Sequence, residues 1–186
     1  MSKRAVFHNK VVNLIRDKGY KATTMRDIAA AMECDVSNVY NYLSSKQGFL
    51  EKVIFEMDHL FQTRMNEIMD SGLTPDRQLE EVIRMYVDFS INQPAEVGIL
   101  LNEWRHLPPE KIIEFKSQKS KFEHKVKQIL TSGIEDHSFK SMNIELATHL
   151  ILSSLRLLFN HPVQGINPFN LQKEISTYIL KGISSS

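Results

Sequence analysis

Apolar residues recur at three- and four-residue steps along almost the whole chain, and no stretch alternates with period two for long enough to suggest a sheet. Such a chain buries its apolar residues by packing helix on helix, so the expected class is all-α. The first helix covers roughly 4–18, with Phe7, Val11, Leu14 and Ile15 on one face, and Gly19 follows where a left-handed residue ends a helix. A long helix is expected over about 46–71, striped by Leu50, Val53, Ile54, Met57, Leu60, Phe61, Met65, Ile68 and Met69, and stopped by Gly72. Thr74-Pro75 opens another, with proline at its first helical position, ending near Gln93-Pro94. A shorter helix holding Val97, Leu100, Leu101 and Trp104 breaks at Pro108-Pro109. The next runs to about 135 on Ile112, Phe115, Phe122, Val126 and Ile129, with Lys119 in an otherwise apolar slot. Two more are expected near 143–160 and 168–183, with the loop from Pro162 to Pro168 between them.

Between the first helix and the long one, the segment Thr23-Thr24-Met25-Arg26-Asp27-Ile28-Ala29, then Val39-Tyr40-Asn41-Tyr42-Leu43 and Ser45-Lys46-Gln47, reads as two short helices around a turn. Thr24 with Asp27 three residues on forms a loose capping box. Asp35 or a neighbour caps the second short helix, expected to reach about 43. Either Ser44 or Ser45 caps the helix after it. Val39 and Leu43 point inward while Ser37, Asn38, Tyr40, Asn41 and Tyr42 occupy the rest of that second helix. This is the layout of a helix-turn-helix, whose second helix enters the major groove. Charge agrees: residues 1–50 hold eight Lys and Arg against four Asp and Glu, about +4, and the remainder is about −3. Thr24 offers a helix N-terminus to phosphate, Arg26 reaches a phosphate or a base edge, Asn and Ser bond base edges, and Tyr hydroxyls bond phosphates. Lys46 is expected to meet backbone phosphate as a point charge.

From about Val6 to about Val53 the chain resembles, without a gap, the DNA-binding end of the TetR family of bacterial transcriptional repressors. In that family positions matching Thr24, Tyr40, Tyr42 and Lys46 commonly contact the DNA backbone. The resemblance implies a three-helix DNA-binding domain over 1–46 and a helical ligand-binding and dimerisation domain over 47–186, with the fourth helix linking them. The chain departs from the pattern at Glu33, where the turn usually holds Gly, at Ser37 for a smaller residue, and at Gly48 for the common Glu. A Glu adopts positive φ only at a cost.

Farther on, Asn102-Glu103-Trp104-Arg105-His106-Leu107, followed by Phe115, Phe122-Glu123, Gly133 and Phe139, is similar to a TetR subgroup whose members often respond to acyl thioesters. The chain carries Leu157-Leu158-Phe159-Asn160-His161-Pro162 where many members have an aromatic-rich end to the eighth helix. An apolar ligand needs an apolar lining, and Met57, Phe61, Met65, Met85, Phe89, Leu101, Trp104, Phe115 and Phe122 supply candidates, with plain core packing as the other use of each. Arg105 and His106 are candidates for an anionic head group; Arg105 equally suits a pairing with Glu103 or a cover over the core. For dimerisation the candidates are Ala147, Leu150, Ile151, Ser154, Leu155 and Leu158 on one helix and Leu171, Ile175, Tyr178, Ile179 and Gly182 on the last, with packing inside the monomer as the alternative.

Motifs for catalysis are lacking: there is no G-x-S-x-G, no P-loop and no H-E-x-x-H, and the seven histidines include no i,i+4 pair. The single cysteine, Cys34, excludes an internal disulfide and is read as core. No enzyme activity, metal or cofactor is expected, nor a signal peptide or membrane span, and the expected location is the cytoplasm. The reading is a homodimeric repressor that binds a palindromic double-stranded operator and is released by a small hydrophobic ligand, an acyl-CoA or fatty acid. The alternatives are a repressor that senses a drug-like apolar molecule and controls efflux, and a helical partner-binding protein without DNA binding.

Overall fold

The computed structural model describes residues 2–160 and 167–185. His161, Pro162 and most of the expected loop up to Pro168 lie outside the described residues. Nine α-helices are present among the described residues: α1 (Lys3–Lys18), α2 (Met25–Ala31), α3 (Val36–Val39), α4 (Lys46–Met69), α5 (Pro75–Asn92), α6 (Pro94–Asn102), α7 (Pro109–Glu135), α8 (Ile144–Asn160) and α9 (Pro168–Ile183). A 3-10 turn, Trp104–His106, follows α6. The only β feature among these residues is one antiparallel bridge between Phe139 and Ser184. No helix is long and apolar enough to cross a membrane among the described residues.

Local chemistry sets most of the helix ends. Gly19 (φ 85°) ends α1 and Gly72 (φ 68°) follows α4, both in the positive-φ region open to glycine. Pro75 starts α5 behind Thr74. Of the two candidate serines, Ser45 caps α4, its hydroxyl accepting from the Gly48 N–H at 2.9 Å. Two expectations need correcting: the helix expected to hold Trp104 ends at Asn102, with Trp104 in the 3-10 turn, and α3 does not reach 43 as α-helix. After Val39 the Asn41 and Tyr42 N–H groups bond three residues back, to Asn38 and Val39, so the chain tightens into turns.

The chain forms two compact units. The first comprises Met1–His59 and Ala95–Phe115, so α6 and the 3-10 turn join the N-terminal helices. Its core includes Phe7, Val11, Ile15, Ile28, Val39 and Leu50, all buried, and each such side chain removed from water contributes about 1.5–3 kcal/mol. Leu14 is half-buried and Val12 takes an inner place on α1. Cys34 is half-buried rather than core.

The second unit comprises Leu60–Pro94 and Lys116–Ser186. There α5 packs against α8 and α9, and Leu79, Val82, Ile83, Val126, Ile129 and Leu155 are buried. The Phe139 ring lies directly on Gly133, where a Cβ would overlap it. The Lys140 N–H bonds the Ile183 carbonyl at 2.8 Å and the Ser185 N–H bonds the Ser138 carbonyl at 3.1 Å, fastening the end of the chain to the turn after α7. Helices α4 and α7 each carry residues of both units.

Candidate nucleic-acid interface and ligand-binding residues

The helix-turn-helix is built from two local devices. At the start of α2 the Thr24 hydroxyl accepts from the Asp27 N–H at 3.1 Å, and the Asp27 carboxylate accepts from the Thr24 N–H at 2.7 Å, completing the capping box. Lys18 stands 2.7 Å from the same carboxylate. That ammonium, then the Thr24 bonds, hold the Asp27 carboxyl well below the usual carboxylate range.

At the end of α2 the Cys34 N–H bonds the Ala29 carbonyl and the Glu33 N–H bonds the Ala30 carbonyl, each at 3.1 Å. These are the paired bonds of a Schellman motif, with Glu33 at the C′ position and φ 54°. The glycine normally favoured there is missing, and the glutamate takes the left-handed conformation anyway.

The eight residues expected at DNA fall into two groups. Arg26, Ser37, Asn38, Tyr40 and Asn41 are exposed, and their side chains have no partner among the described residues. Tyr40 is 55% exposed. The other three are engaged within the protein. The Thr24 hydroxyl is part of the capping box. The Tyr42 ring stacks on Phe7, centroids 4.8 Å apart and 11° from parallel, so its ring packs on the core while its edge stays in solvent. Lys46 turns inward: its Nζ donates to the Tyr20 carbonyl at 2.8 Å and the Thr23 carbonyl at 2.6 Å, and lies 4.3 Å from the Tyr20 ring centroid. Its charge thus ties the turn before α2 to the start of α4.

Around that brace is a polar network the sequence did not suggest. The Tyr20 hydroxyl donates to Gln47 at 2.8 Å, and Gln47 donates to the His106 carbonyl at 3.3 Å. Tyr20 stacks on the His106 ring, and His106 pairs with Glu103 at 3.3 Å. On α1, His8 meets Glu96 of α6 at 3.3 Å, and that contact lowers the Glu96 carboxyl pKa. His106 is therefore engaged within its own unit, and Glu103 pairs with it. Arg105 is exposed and lies over the Trp104 ring at 4.6 Å, the covering role rather than a pairing with Glu103.

The candidate ligand residues divide between the units. Met57, Leu101, Trp104, Arg105 and Phe115 belong to the first, where Trp104 and Phe115 meet at 5.5 Å. Phe61, Met65, Met85, Phe89 and Phe122 belong to the second and are buried. There Phe61 contacts Phe89 at 4.6 Å, Tyr86 at 5.3 Å and Phe122 at 6.0 Å. Two polar groups border this aromatic cluster. Tyr86, itself buried, lies near Arg156, and Arg156 donates to Glu123 at 3.3 Å. Burial pushes the Tyr86 phenol up to about 12. The sequence reasoning missed Arg156; the signal available was a lone Lys or Arg in an apolar helix, and its pairing with Glu123, 33 positions away, carries no sequence signal.

The expected dimer residues need correction. Ile151, Leu155 and Leu158 are buried in their own chain and belong to its core. Leu150 is 62% and Tyr178 77% exposed, and Ser154 and Gly182 are exposed; Ala147, Leu171, Ile175 and Ile179 are half-buried. The apolar surface left on α8 and α9 also includes Leu146, Leu157 and Phe169, which helical periodicity alone did not separate from the inner stripe.

Two family models match the chain: that of the bacterial regulatory proteins of the tetR family over residues 12–53, and that of the tetracyclin repressor-like C-terminal domain over residues 72–160. The HTH-type transcriptional repressor KstR2 of Mycolicibacterium smegmatis is 27% identical over 190 residues, covering 100% of this chain and 92% of that protein. The structure of the ketosteroid transcriptional regulator KstR2 of Mycobacterium tuberculosis superposes with a TM-score of 0.92 at 18% identity, covering 100% of this chain and 96% of that one. AibR, in complex with isovaleryl coenzyme A and operator DNA, gives a TM-score of 0.80 at 17% identity, covering 95% and 97% of the two chains. The structural likenesses establish the fold.

Proposed function

The chain belongs to the TetR family of bacterial transcriptional regulators, and from that premise we propose that it is a homodimeric repressor whose hold on a palindromic operator is ended by a coenzyme A thioester with an apolar acyl group. The observation that carries the DNA half is the exposed set Arg26, Ser37, Asn38, Tyr40 and Asn41, polar and without partners among the described residues, on a helix-turn-helix whose α2 is closed by a capping box and a Schellman turn. Thr24 and the Tyr42 hydroxyl are the proposed backbone contacts, and Lys46 acts through the brace it forms. Two copies place their α3 segments in successive major grooves, about 34 Å apart.

Support for the ligand half comes from the aromatic cluster of the second unit, with the Tyr86–Arg156–Glu123 polar group on its border. The aromatic rings suit an acyl group, and the Arg156–Glu123 pair borders them. AibR, which shares the fold, is described with isovaleryl coenzyme A. Leu150, Leu157, Phe169 and Tyr178 form the proposed dimer contact, an exposed apolar surface of the kind a second copy covers. Helix α4 contributes residues to both units and is the proposed lever. The ligand acts only through a difference in its affinity for the two dimer geometries.

Fluorescence anisotropy on labelled DNA from upstream of the protein's own gene, repeated over a salt series, tests the DNA half. Specific binding that weakens steeply and log-linearly with salt supports it. Binding indifferent to salt contradicts it and favours the partner-binding alternative.

A further inference from the structure

The reading head has an unusual distribution of base-reading chemistry. From Thr23 to Ser45 it holds one cation, Arg26, and none lies on α3 or the turns after it. Guanine is read most often by Arg or Lys bonding its O6 and N7 acceptors together, and α3 lacks that group. The segment holds two carboxamides instead, Asn38 on α3 and Asn41 in the turn after it, three residues apart. Both are exposed and neither side chain has a partner among the described residues, whereas the neighbouring Tyr42 ring is held on Phe7. The Asn41 N–H bonds the Asn38 carbonyl at 3.2 Å, so the backbone turns tightly between them and keeps both on the same side.

A carboxamide carries one donor and one acceptor face, which match the N7 acceptor and N6 amino donor of adenine. Guanine shows two acceptors there, so the amide oxygen would face O6 with no proton between them. In a tight turn of this 3-10 kind residues three apart stand one above the other, with about 2.0 Å of rise per residue and so roughly 6 Å between them, against about 3.4 Å between successive bases. We propose that Asn38 and Asn41 each read an adenine in the operator half-site, the two adenines lying no more than two base steps apart, and that Arg26 is the one side chain able to read a guanine beside them. The proposal rests on the repressor reading and adds the sequence class it recognises.

The test is selection of bound duplexes from a randomised library with the full-length protein, followed by anisotropy on the selected site. Two adenines within two base steps, on either strand of each half-site, are expected. Replacing either with 7-deazaadenine, which keeps the base pair but lacks N7, should weaken wild-type binding by about tenfold, the equivalent of one good bidentate contact. Asn38→Ala and Asn41→Ala should each become indifferent to 7-deazaadenine at one of the two positions, with unfolding midpoints unchanged. Arg26→Ala should lose any guanine preference at the flank. A selected half-site without such adenines, or one insensitive to 7-deazaadenine, overturns the proposal and leaves the repressor standing. Enrichment of no sequence at all overturns the repressor reading itself.

Discussion

Replacing Glu33 by glycine should make the protein more stable, although the substitution removes a whole side chain. Glu33 sits at the C′ position of the Schellman turn after α2 with φ 54°. An L-residue there brings its Cβ close to the backbone, at a cost of about 1–2 kcal/mol. Glycine has no such cost but loses more freedom on folding, about 0.5–1 kcal/mol. The difference leaves Glu33→Gly more stable by about 0.5–1 kcal/mol. For a chain of this size that is roughly 1–4 °C in Tm. Glu33 is exposed and has no side-chain partner among the described residues, so nothing offsets the gain. Thermal and urea unfolding of Glu33→Gly, Glu33→Ala and Glu33→Gln measure it. Alanine keeps the Cβ and glutamine keeps the shape without the charge, so both should stay near wild type. If Glu33→Gln matches the glycine variant, charge and not backbone conformation is responsible, and the reasoning fails. It also fails if Glu33→Gly is no more stable than Glu33→Ala.

Three further outcomes are expected. Lys46→Met should destabilise the protein by about 1–3 kcal/mol in urea unfolding, because the Tyr20 and Thr23 carbonyls lose their donor; an unchanged stability with a salt slope of DNA binding smaller by about one would instead mark Lys46 as a plain phosphate contact. Gly133→Ala should cost about 1–3 kcal/mol, since its methyl group overlaps the Phe139 ring, and a wild-type unfolding midpoint would contradict that packing. The Tyr86 phenol is pushed up to about 12 by burial, so its neutral form stabilises the fold fully below the unfolded value near 10, and that stability is lost as pH rises through the folded value. Wild type should therefore lose about 3 kcal/mol more than Tyr86→Phe between pH 10 and 12, and parallel stability curves for the two would refute the burial argument.

What was legible in the sequence was local. The capping box of Thr24 and Asp27, the glycine stops at 19 and 72 and the proline start at 75 each depend on residues within one turn, and the structure has all of them. The cost attached to Glu33 was legible for the same reason, since one residue's φ decides it. What was not legible depends on which distant residue arrives. Lys46 is expected from sequence at a backbone phosphate, because nothing in its neighbourhood announces the Tyr20 and Thr23 carbonyls 26 and 23 residues earlier. Gly133 and Phe139 stand in the sequence only as the last residues of the subgroup signature, and that the ring rests on the glycine is a fact of packing. The faces of α8 went astray similarly. Period 3.6 finds an apolar stripe, yet both the α5-facing and the outer positions are leucine-rich, so Ile151 and Leu155 could not be told from Leu150 and Leu157.

If one class of ligand empties the operator, release from DNA measures it directly. The protein is bound to its selected operator, and a series of acyl-CoAs from short to long and from linear to ring-containing is titrated in, with free coenzyme A and the free acids beside them. The anisotropy should fall to that of free DNA for thioesters within a bounded range of acyl size, and for neither half of the molecule alone. An operator complex that every thioester leaves intact, but that an apolar molecule lacking any anionic group dissolves, would contradict the thioester reading and return the efflux-type sensor to first place.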